Sequence, residues 1–362
     1  MAGTTLQNIL GAKRLNGIIQ AVMGGVPDIL PAGFWASPSN TETTDGNQGH
    51  YLRVEGTRQA ASLVHYGSPS KRRAMKGVAE VPVTLLHTFE NMNVKPSTLN
   101  NLLAEGNETL QKLGAASIAR EVGNFGQLFK NLRISALYSA LVNGAIYFDG
   151  EGNLLPTSSG AKVTVDFQIP ATHKNQLNSI IGASWGTAGT DIIGDLEAVK
   201  KAARVDWGGE LKYAFYGENV PGYLAANTVI KSLYGASPAA SEQALRGKIA
   251  DVGGLIWLPI YGAFFNDADG SNQSWGIGDT VVFTPEPDPT WLAWLEGTYP
   301  IPTELSLNAD ASAALNSLTP AQGSFSYATV SVDPPGITQY SGDTFLPIIK
   351  AVNAIFIADV VP

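Results

Sequence analysis

Apolar residues recur at three- and four-residue steps through a long stretch of this chain, from Pro96 to Gly144. They are Leu99, Leu102, Leu103, Leu110, Leu113, Val122, Phe125, Leu128, Phe129, Leu132, Leu137 and Leu141. This spacing predicts a helix roughly 70 Å long at about 1.5 Å per residue, with Asn143-Gly144 as its C-terminal cap. Glycines inside a helix weaken it by about 0.5–1 kcal/mol each, so we expect it to be bent or segmented. The internal glycines are Gly106, Gly114, Gly123 and Gly126.

Two stretches rich in β-branched and aromatic residues, 51–66 and 78–89, precede this helix. The polar segment between them carries the basic residues Lys71, Arg72, Arg73 and Lys76. The pattern predicts a long two-stranded hairpin with a basic tip. Neither strand is apolar enough for a core, and an isolated hairpin is marginal in water, so we expect it to lie on another chain. A solvated loop is the alternative.

The N-terminal part divides into a helical pattern and a loop-like segment. From Leu6 to Val22 the apolar residues fall near one helical face, which predicts a short amphipathic helix. It is either a core helix or an arm that lies on a neighbouring copy. Residues 26–50 are rich in proline, glycine and small polar residues, which predicts an extended arm or linker. Because Lys13 and Arg14 interrupt the apolar residues, secretory export is not expected.

Beyond the long helix, strand-like and helical segments alternate. The predicted strands are 145–148, 162–169, 211–216, 255–265, 280–284 and 325–332, and the predicted helices are 191–205 and 221–234. A last segment, 344–361, is expected to form a strand pair with 325–332 that rejoins the long helix. This order predicts an α+β protein that contains an α/β region.

Charge is unevenly distributed along the 362 residues. Residues 1–181 hold 15 Lys+Arg and 12 Asp+Glu, a balance of +3, whereas residues 182–362 hold 8 and 19, a balance of −11. Such a chain can attract copies of itself, and it is a poor candidate for sequence-specific DNA binding. Charged residues make up only 15%, so we expect partners to cover much of the surface. The absence of cysteine excludes disulfides and thiolate metal sites, and no apolar run is long enough for a membrane helix.

Catalytic and ligand-binding motifs give little support to an enzyme. Residues 182–186 match a G-x-S-x-G nucleophile elbow around Ser184, but all four histidines precede that serine, in the wrong order for that fold. The histidines lack metal-binding spacing and no phosphate-binding loop is present, so we predict no catalytic residue, cofactor or metal. Trp291 and Trp294 follow a proline-rich segment, and we expect them to be exposed interface anchors, with core packing as the alternative.

The order of these elements resembles the major capsid protein of tailed bacteriophages, and most closely the lambda-type capsid protein E family, which has the Hong Kong ninety-seven capsid fold. The residues that carry the resemblance are 132–144 followed by Val165-Asp166-Phe167, then 211–216 leading into 221–233, then 254–261 before 278–282, and finally Asp333-Pro334 before 348–361. It covers about residues 50–362. The order of elements carries more weight than any single motif.

The resemblance implies a division into four parts. Residues 1–50 would be an N-terminal arm, 51–89 an extended β-hairpin loop over a neighbouring subunit, 90–176 with 325–362 a peripheral domain with the long helix, and 177–324 an α/β axial domain. The basic tip would meet acidic surface on the adjacent copy. The expected intersubunit contacts are Arg53, Arg58, Lys71, Arg72, Arg73, Lys76, Trp291 and Trp294.

The function that the resemblance implies is structural. The chain would assemble in the host cytoplasm, as hexameric and pentameric capsomers, into the icosahedral head of the virion, around double-stranded DNA that it contacts without sequence specificity. A scaffold, a portal and a decoration protein are candidate partners, and no membrane is involved. Two alternatives stay open: an encapsulin-like compartment with the same fold, and a serine hydrolase that uses Ser184.

Overall fold

A computed structural model describes residues 9–53, 79–104, 107–150, 153–174, 180–234, 249–260, 263–266, 271–274, 277–302, 318–332 and 335–361. The helices are α1 Ala12–Met23, α2 Pro96–Leu103, α3 Glu108–Asn143, α4 Ile192–Asp206, α5 Val220–Ala226 and α6 Thr228–Tyr234. The strands are β1 Thr41–Thr44, β2 Gln48–Arg53, β3 Ala79–Thr84, β4 Leu86–Asn93, β5 Ala145–Phe148, β6 Leu154–Leu155, β7 Val163–Asp166, β8 Leu211–Tyr216, β9 Ile256–Pro259, β10 Ala263–Asn266, β11 Ser271–Ser274, β12 Thr280–Pro285, β13 Leu292–Pro302, β14 Leu318–Gln322, β15 Phe325–Val332, β16 Pro335–Ile349 and β17 Phe356–Asp359. The predicted α+β class is confirmed.

The chain forms two compact units. Unit 1 comprises Met1–His50, Pro82–Ser135 and Trp294–Pro347, and unit 2 comprises Tyr51–Val81, Ala136–Ala293 and Ile348–Pro362. These bounds differ from the predicted domains, because β14 lies in unit 1 whereas β5 and β17 lie in unit 2. The division into a peripheral and an axial domain stays a prediction.

A mixed sheet organises unit 1. Among the described residues, six strands form it in the order β1-β13-β16-β15, with β14 paired to β13 and β4 paired to β16. Strand β16 connects the sheet because it pairs antiparallel with β15 and also with β4. Strand β1 pairs parallel to β13, with Thr41 opposite Trp294. The sequence pattern did not predict β1, β13 or β14.

Helix α1 is a core helix of unit 1. Its apolar face, with Leu15 and Ile19 fully buried, packs beside β15 within the same chain. The loop that follows is also internal, since Phe34 and Trp35 are buried and β1 joins the sheet. Residues 26–50 therefore pack within this chain, and the prediction that they form an extended arm is wrong. For α1, the core-helix alternative is correct.

The long apolar pattern forms two helices, so the prediction of a segmented helix is confirmed. Helix α2 ends at Leu103 and α3 begins at Glu108. The predicted cap is also present, since Gly144 has a φ of 66° and its N–H bonds to Ala140 O at 3.0 Å. The other predicted glycines, Gly114, Gly123 and Gly126, lie within α3 and do not interrupt it. Gly126 allows α1 to pack closely, because a Cβ at this position would lie 3.0 Å from the side chain of Val22 on α1.

Two glycines of α3 allow a matched test of this packing. A Cβ at Gly123 would meet nothing within 4 Å, so we expect Gly123→Ala to raise the free energy of unfolding by about 0.5–1 kcal/mol through helix propensity. We expect Gly126→Val to lower it by about 1–3 kcal/mol because the larger side chain pushes α1 away. Urea denaturation of both variants measures the difference, and an equal response at the two positions would contradict the close contact between α1 and α3.

A second sheet forms the core of unit 2. In the described part of this unit, four of its strands pair in the order β17-β12-β8-β9. Asp191 caps the N-terminus of helix α4, since its carboxylate accepts the N–H of Gly194 at 2.9 Å. The helix buries Ile192, Leu196 and Val199 in the same core. Strand β8 has the predicted bounds. Strand β17 pairs antiparallel with β12. The prediction that residues 344–361 rejoin the long helix stays a prediction.

Two predicted elements of unit 2 are divided in the structure. The helix predicted over 221–234 is α5 and α6, because the buried Asn227 ends the first helix and accepts the N–H groups of Val229 and Ile230 at 3.0 Å. The strand predicted over 255–265 is β9 and β10, and β10 pairs instead with β11. A smaller sheet, β6-β5-β7, follows α3 as predicted from 145–148 and 162–169.

Candidate functional site

A buried ion cluster lies in unit 1, centred on Arg133 of α3. Its guanidinium makes a two-point contact with Asp343, from Nε at 2.8 Å and from Nη2 at 2.7 Å. Its Nη1 donates to Glu296 Oε1 at 2.7 Å. The side chain of Arg133 is 3% exposed, that of Asp343 is 0% exposed and that of Glu296 is 17% exposed, so the first two are out of water. Ser324 Oγ donates to Asp343 Oδ1 at 2.9 Å and completes the cluster.

Electrostatics keep Arg133 charged in this position. Burial alone would lower the pKa of the guanidinium, but the charges and hydrogen bonds of Asp343 and Glu296 outweigh burial and raise the pKa. The guanidinium also lies over aromatic rings, 5.0 Å from the centroid of Phe345 and 5.8 Å from that of Trp294. One cation faces two carboxylates, so the cluster has a net charge of about −1.

Both predicted tryptophan anchors are core residues. Trp294 is fully buried, donates from Nε1 to Phe34 O at 3.1 Å and packs edge-on against Trp35, with ring centroids 5.7 Å apart. In unit 2, Trp291 is also fully buried and donates from Nε1 to Glu286 O at 2.8 Å. The prediction that they are exposed intersubunit anchors is therefore wrong, and the core-packing alternative is correct.

An open cleft of about 710 Å³ with a mixed polar and apolar lining lies beside the ion cluster in unit 1. It is lined in part by Gln20 of α1, Thr41 and Thr43 of β1, and Gln322 at the end of β14. Arg133 and Glu296 also line it, and they are the lining residues with formally charged side chains among those that the structure describes. The cleft is therefore a mixed polar and apolar surface with the negatively charged cluster at its wall.

The root of the predicted hairpin lies within the described residues. Strands β2 and β3 pair with each other, as predicted for the two arms. At the end of β2, Arg53 donates from Nη1 to Gln168 Oε1 at 2.8 Å, so its guanidinium contacts its own unit 2. The predicted contact residues Arg58, Lys71, Arg72, Arg73 and Lys76 lie outside the described residues. Intersubunit contacts of the hairpin stay a prediction.

Gln168 has an unusual backbone. Its φ is 57°, and within the described ranges it is the single non-glycine residue with a positive φ. The N–H of Gln168 donates to Asp166 Oδ1 at 2.7 Å, which holds this conformation. Phe167 and Ile169 on either side are buried, so the turned backbone presents the Gln168 side chain to Arg53.

The loop around Ser184 has a structural role. The buried carboxylate of Asp195 accepts the N–H of Gly182 at 2.8 Å and the Nε1–H of Trp185 at 2.9 Å, which fixes both sides of the serine. Ser184 Oγ accepts the N–H of Gly186 at 3.3 Å. Across the described part of the chain, no group of three or more acidic or histidine side chains is placed to hold a metal ion. The helices in those same ranges include none that is long and apolar enough to cross a membrane.

His87 of β4 is part of a row of stacked rings in unit 1. Its Nδ1 lies 2.7 Å from Thr344 Oγ1, and its ring lies nearly parallel to that of Tyr299 at 5.2 Å. Burial lowers the pKa of the imidazole, against a smaller opposing effect of the Asp343 charge. The folded chain therefore binds fewer protons at this residue than the unfolded chain, whose histidine has a pKa near 6.5.

This difference gives a pH prediction. The contribution of His87 to stability is fully present above pH 6.5 and is lost as the pH falls through 6.5 towards the lower pKa of the folded state. We expect the wild-type protein to lose more stability than His87→Gln when the pH is lowered from about 7.5 to about 5.5. Urea midpoints at the two pH values measure this, and the same loss in both proteins would contradict it.

A family model matches residues 50–310, and its description is phage major capsid protein E. The chain belongs to this family. Its role is that of a structural major capsid protein of a tailed phage, as the sequence resemblance implied. The match includes the hairpin root, both helices of the predicted long helix, the sheet of unit 2 except β17, and β13. A search of curated proteins found no match to this capsid protein.

Several solved structures are similar to this chain. A protein described as a capsid protein of a prophage from E. coli CFT073 is 13% identical, with a TM-score of 0.54 over 97% of this chain and 99% of the other. A phage-related protein from Bordetella bronchiseptica RB50 is 12% identical, with a TM-score of 0.49 over 97% of each chain. A virus-like particle from Pyrococcus furiosus is 10% identical, with a TM-score of 0.42 over 96% and 98%. The first similarity shows that the capsid protein shares that fold.

The sequence reasoning missed the ion cluster. Arg133 lies on the buried side of α3, four residues after the buried Phe129 and four before the buried Leu137. A cation in that register was a signal that a carboxylate partner lies in the core. The identity of the partners could not be read from the pattern, because Glu296 and Asp343 are 163 and 210 residues away in the chain.

Proposed function

We propose that this capsid protein assembles with copies of itself into the closed icosahedral head shell of the phage, as hexameric and pentameric capsomers. The observation that carries the proposal is the family match over residues 50–310. The basic hairpin segment and the acidic C-terminal half support it, since opposite charges on one chain favour contacts between copies. The finer division of the chain into hairpin loop, peripheral and axial parts belongs to this proposal.

The packaged molecule in this proposal is double-stranded DNA, held without sequence-specific contacts. The chain has a net charge of −8, so attraction to phosphates is weak overall. Weak binding between the shell and the packaged DNA is consistent with DNA that must leave the head again. Assembly in the host cytoplasm and contacts with a scaffold, a portal or a decoration protein belong to the same proposal.

Sedimentation velocity of the purified protein tests the proposed assembly. We expect species far larger than the 38.1 kDa chain, and the loss of these species in denaturant. A single monomeric species under all buffer conditions would contradict the proposal. If particles form, the nucleic acid and protein inside them separate a phage head from an encapsulin-like compartment, since the latter would contain an enzyme instead of DNA. Esterase activity that Ser184→Ala abolishes would favour the hydrolase alternative.

A further inference from the structure

We infer that Gln168 is a positioning residue for assembly: it holds the guanidinium of Arg53 and thereby fixes the direction in which strand β2 leaves unit 2. The inference rests on the proposed assembly of copies into a shell, and it concerns the described end of β2. It is carried by the backbone of Gln168, by its contact with Arg53 and by the burial of Tyr51 beside that contact.

The backbone of Gln168 adopts a conformation that is unfavourable for glutamine. A φ of 57° is costly for a residue with a Cβ, whereas glycine adopts it without strain. Phe167 is 1% exposed and Ile169 is 5% exposed, so the turn cannot relax without pulling an apolar side chain out of the core. Residues held in such conformations cluster at functional positions, which points to a role for the Gln168 side chain.

The amide oxygen of Gln168 is an acceptor for Arg53. Gln168 Oε1 accepts from Arg53 Nη1 at 2.8 Å, at the last residue of β2. Asp166 Oδ1 in turn accepts the N–H of Gln168 at 2.7 Å and holds the turn from which the amide extends. The acceptor is therefore fixed in place by a hydrogen bond of its own. Because a hydrogen bond to a planar guanidinium is directional, this contact limits the rotation of Arg53.

Strand β2 contacts unit 2 through alternate residues near its end. Tyr51 is 3% exposed and Leu52 is 55% exposed, as expected for a strand with one buried face. Burial raises the pKa of Tyr51, the charge of Arg53 lowers it and the charge of Asp166 raises it, so both charges lie near the buried ring. Tyr51 and Arg53 therefore hold the same face of the strand at two successive points.

The place of Arg53 in the chain gives this contact its consequence. Arg53 directly precedes residues 54–78, and a change in the direction of β2 at Arg53 carries over to the residues that follow. Copies in a closed shell are related by symmetry, so each copy must present its contact surfaces in the same direction. Copies whose β2 ends point in different directions would fit one another poorly.

Replacing Gln168 by glycine separates positioning from stability. Glycine adopts the positive φ without strain, so we expect Gln168→Gly to unfold at nearly the same urea concentration as the wild-type protein. We expect its assembly to be about tenfold weaker, because Arg53 loses its acceptor. A merely structural role would lower stability and assembly together. Urea denaturation and light scattering against protein concentration measure the two quantities.

Two further variants are the controls for this experiment. Gln168→Glu keeps an oxygen acceptor for Arg53, and we expect it to assemble within about twofold of the wild-type protein. Ser159→Gly adds a glycine to another exposed turn of unit 2, and it should assemble as the wild-type protein does.

A double-variant comparison shows whether the two side chains act as one unit. We expect Arg53→Met to weaken assembly as much as Gln168→Gly does. The variant that carries both changes should then be within about twofold of either single variant, because each change removes the same contact. Losses that multiply in the double variant would overturn the inference.

Spin labels measure the direction of β2 itself. The chain has no cysteine, so Leu52→Cys and Lys201→Cys place two labels at exposed positions of unit 2. Labelled chains are diluted in unlabelled protein, and double electron–electron resonance gives the distribution of distances between the labels. We expect a narrow distribution in the labelled protein that retains Gln168, and a roughly twofold wider one after Gln168→Gly. Gln168→Glu should restore the narrow distribution.

The outcomes separate the inference from the proposed function. If Gln168→Gly assembles like the wild-type protein, or if the distance distribution keeps its width, the inference is overturned and the shell role stays intact. A Gln168→Glu variant that behaves like Gln168→Gly would also overturn it, because the acceptor oxygen would then be unimportant. The absence of any assembly in the wild-type protein would contradict the proposed function itself.

Discussion

Replacing Arg133 by methionine is expected to lower the free energy of unfolding of the subunit by about 3–5 kcal/mol. The reason is that Asp343 would stay buried, 0% exposed, without the cation that contacts both of its oxygens. Of the side chains that the structure shows hydrogen-bonded to that carboxylate, Ser324 would remain. Urea denaturation, monitored by tryptophan fluorescence, measures the loss. Trp294 is a fluorescent reporter at the cluster because its ring lies against the guanidinium.

Two comparisons make this prediction specific. Arg120→Met removes an arginine that is 75% exposed on the same helix, and we expect a change within about 0.5 kcal/mol. The double variant Arg133→Met with Asp343→Asn removes both charges. We expect its loss in the free energy of unfolding to be smaller than the sum of the two single-variant losses by about 1–3 kcal/mol. Additive losses would mean that the two side chains do not act as a pair.

Reversing the charge of the hairpin tip is expected to produce a folded subunit that assembles poorly. The variant carries Lys71→Glu, Arg72→Glu, Arg73→Glu and Lys76→Glu. Attraction between the tip and acidic surface on another copy would become repulsion, and each such exposed pair changes by about 1 kcal/mol or less. Repetition of the contact at every subunit of a shell makes the total large. Light scattering and sedimentation measure assembly, and circular dichroism checks the fold.

The matched control for the tip keeps its charge. Lys71→Arg, Arg72→Lys, Arg73→Lys and Lys76→Arg exchange the basic residues for one another, and we expect this variant to assemble nearly as wild type does. If charge reversal leaves assembly normal, the tip does not carry an intersubunit contact. If the exchange variant is as poor as the reversal variant, side-chain shape is more important than charge.

Periodic patterns predicted the helices and several strands well. The spacing of leucines gave the long helix, and its break falls near Gly106, one of the four glycines that predicted segments. Strand β8 was predicted at its observed bounds, since its apolar and aromatic residues lie between polar turns. These elements are determined by local propensity and by one continuous apolar face, both of which are readable from the sequence.

The elements that were missed depend on distant partners. Strand β1 reads Thr-Glu-Thr-Thr, which has no apolar alternation, and it is a strand because it pairs with β13 more than 240 residues later. Strand β13 contains Pro300 and Pro302, and proline is unfavourable inside a strand. The burial of Trp294 likewise depends on Phe34, 260 residues earlier. Tertiary contacts of this kind override local signals and leave no trace in a single sequence.

Negative-stain electron microscopy of the expressed, purified protein is the most direct test of whether this chain forms a shell. We expect closed shells, tubes or ring-shaped capsomers made of this chain. Particles of one size with pentamers at the vertices and hexamers between them would be the clearest positive result. Micrographs that show only dispersed single subunits would contradict the assignment of this chain as a shell subunit, if this result holds at every protein and salt concentration tried.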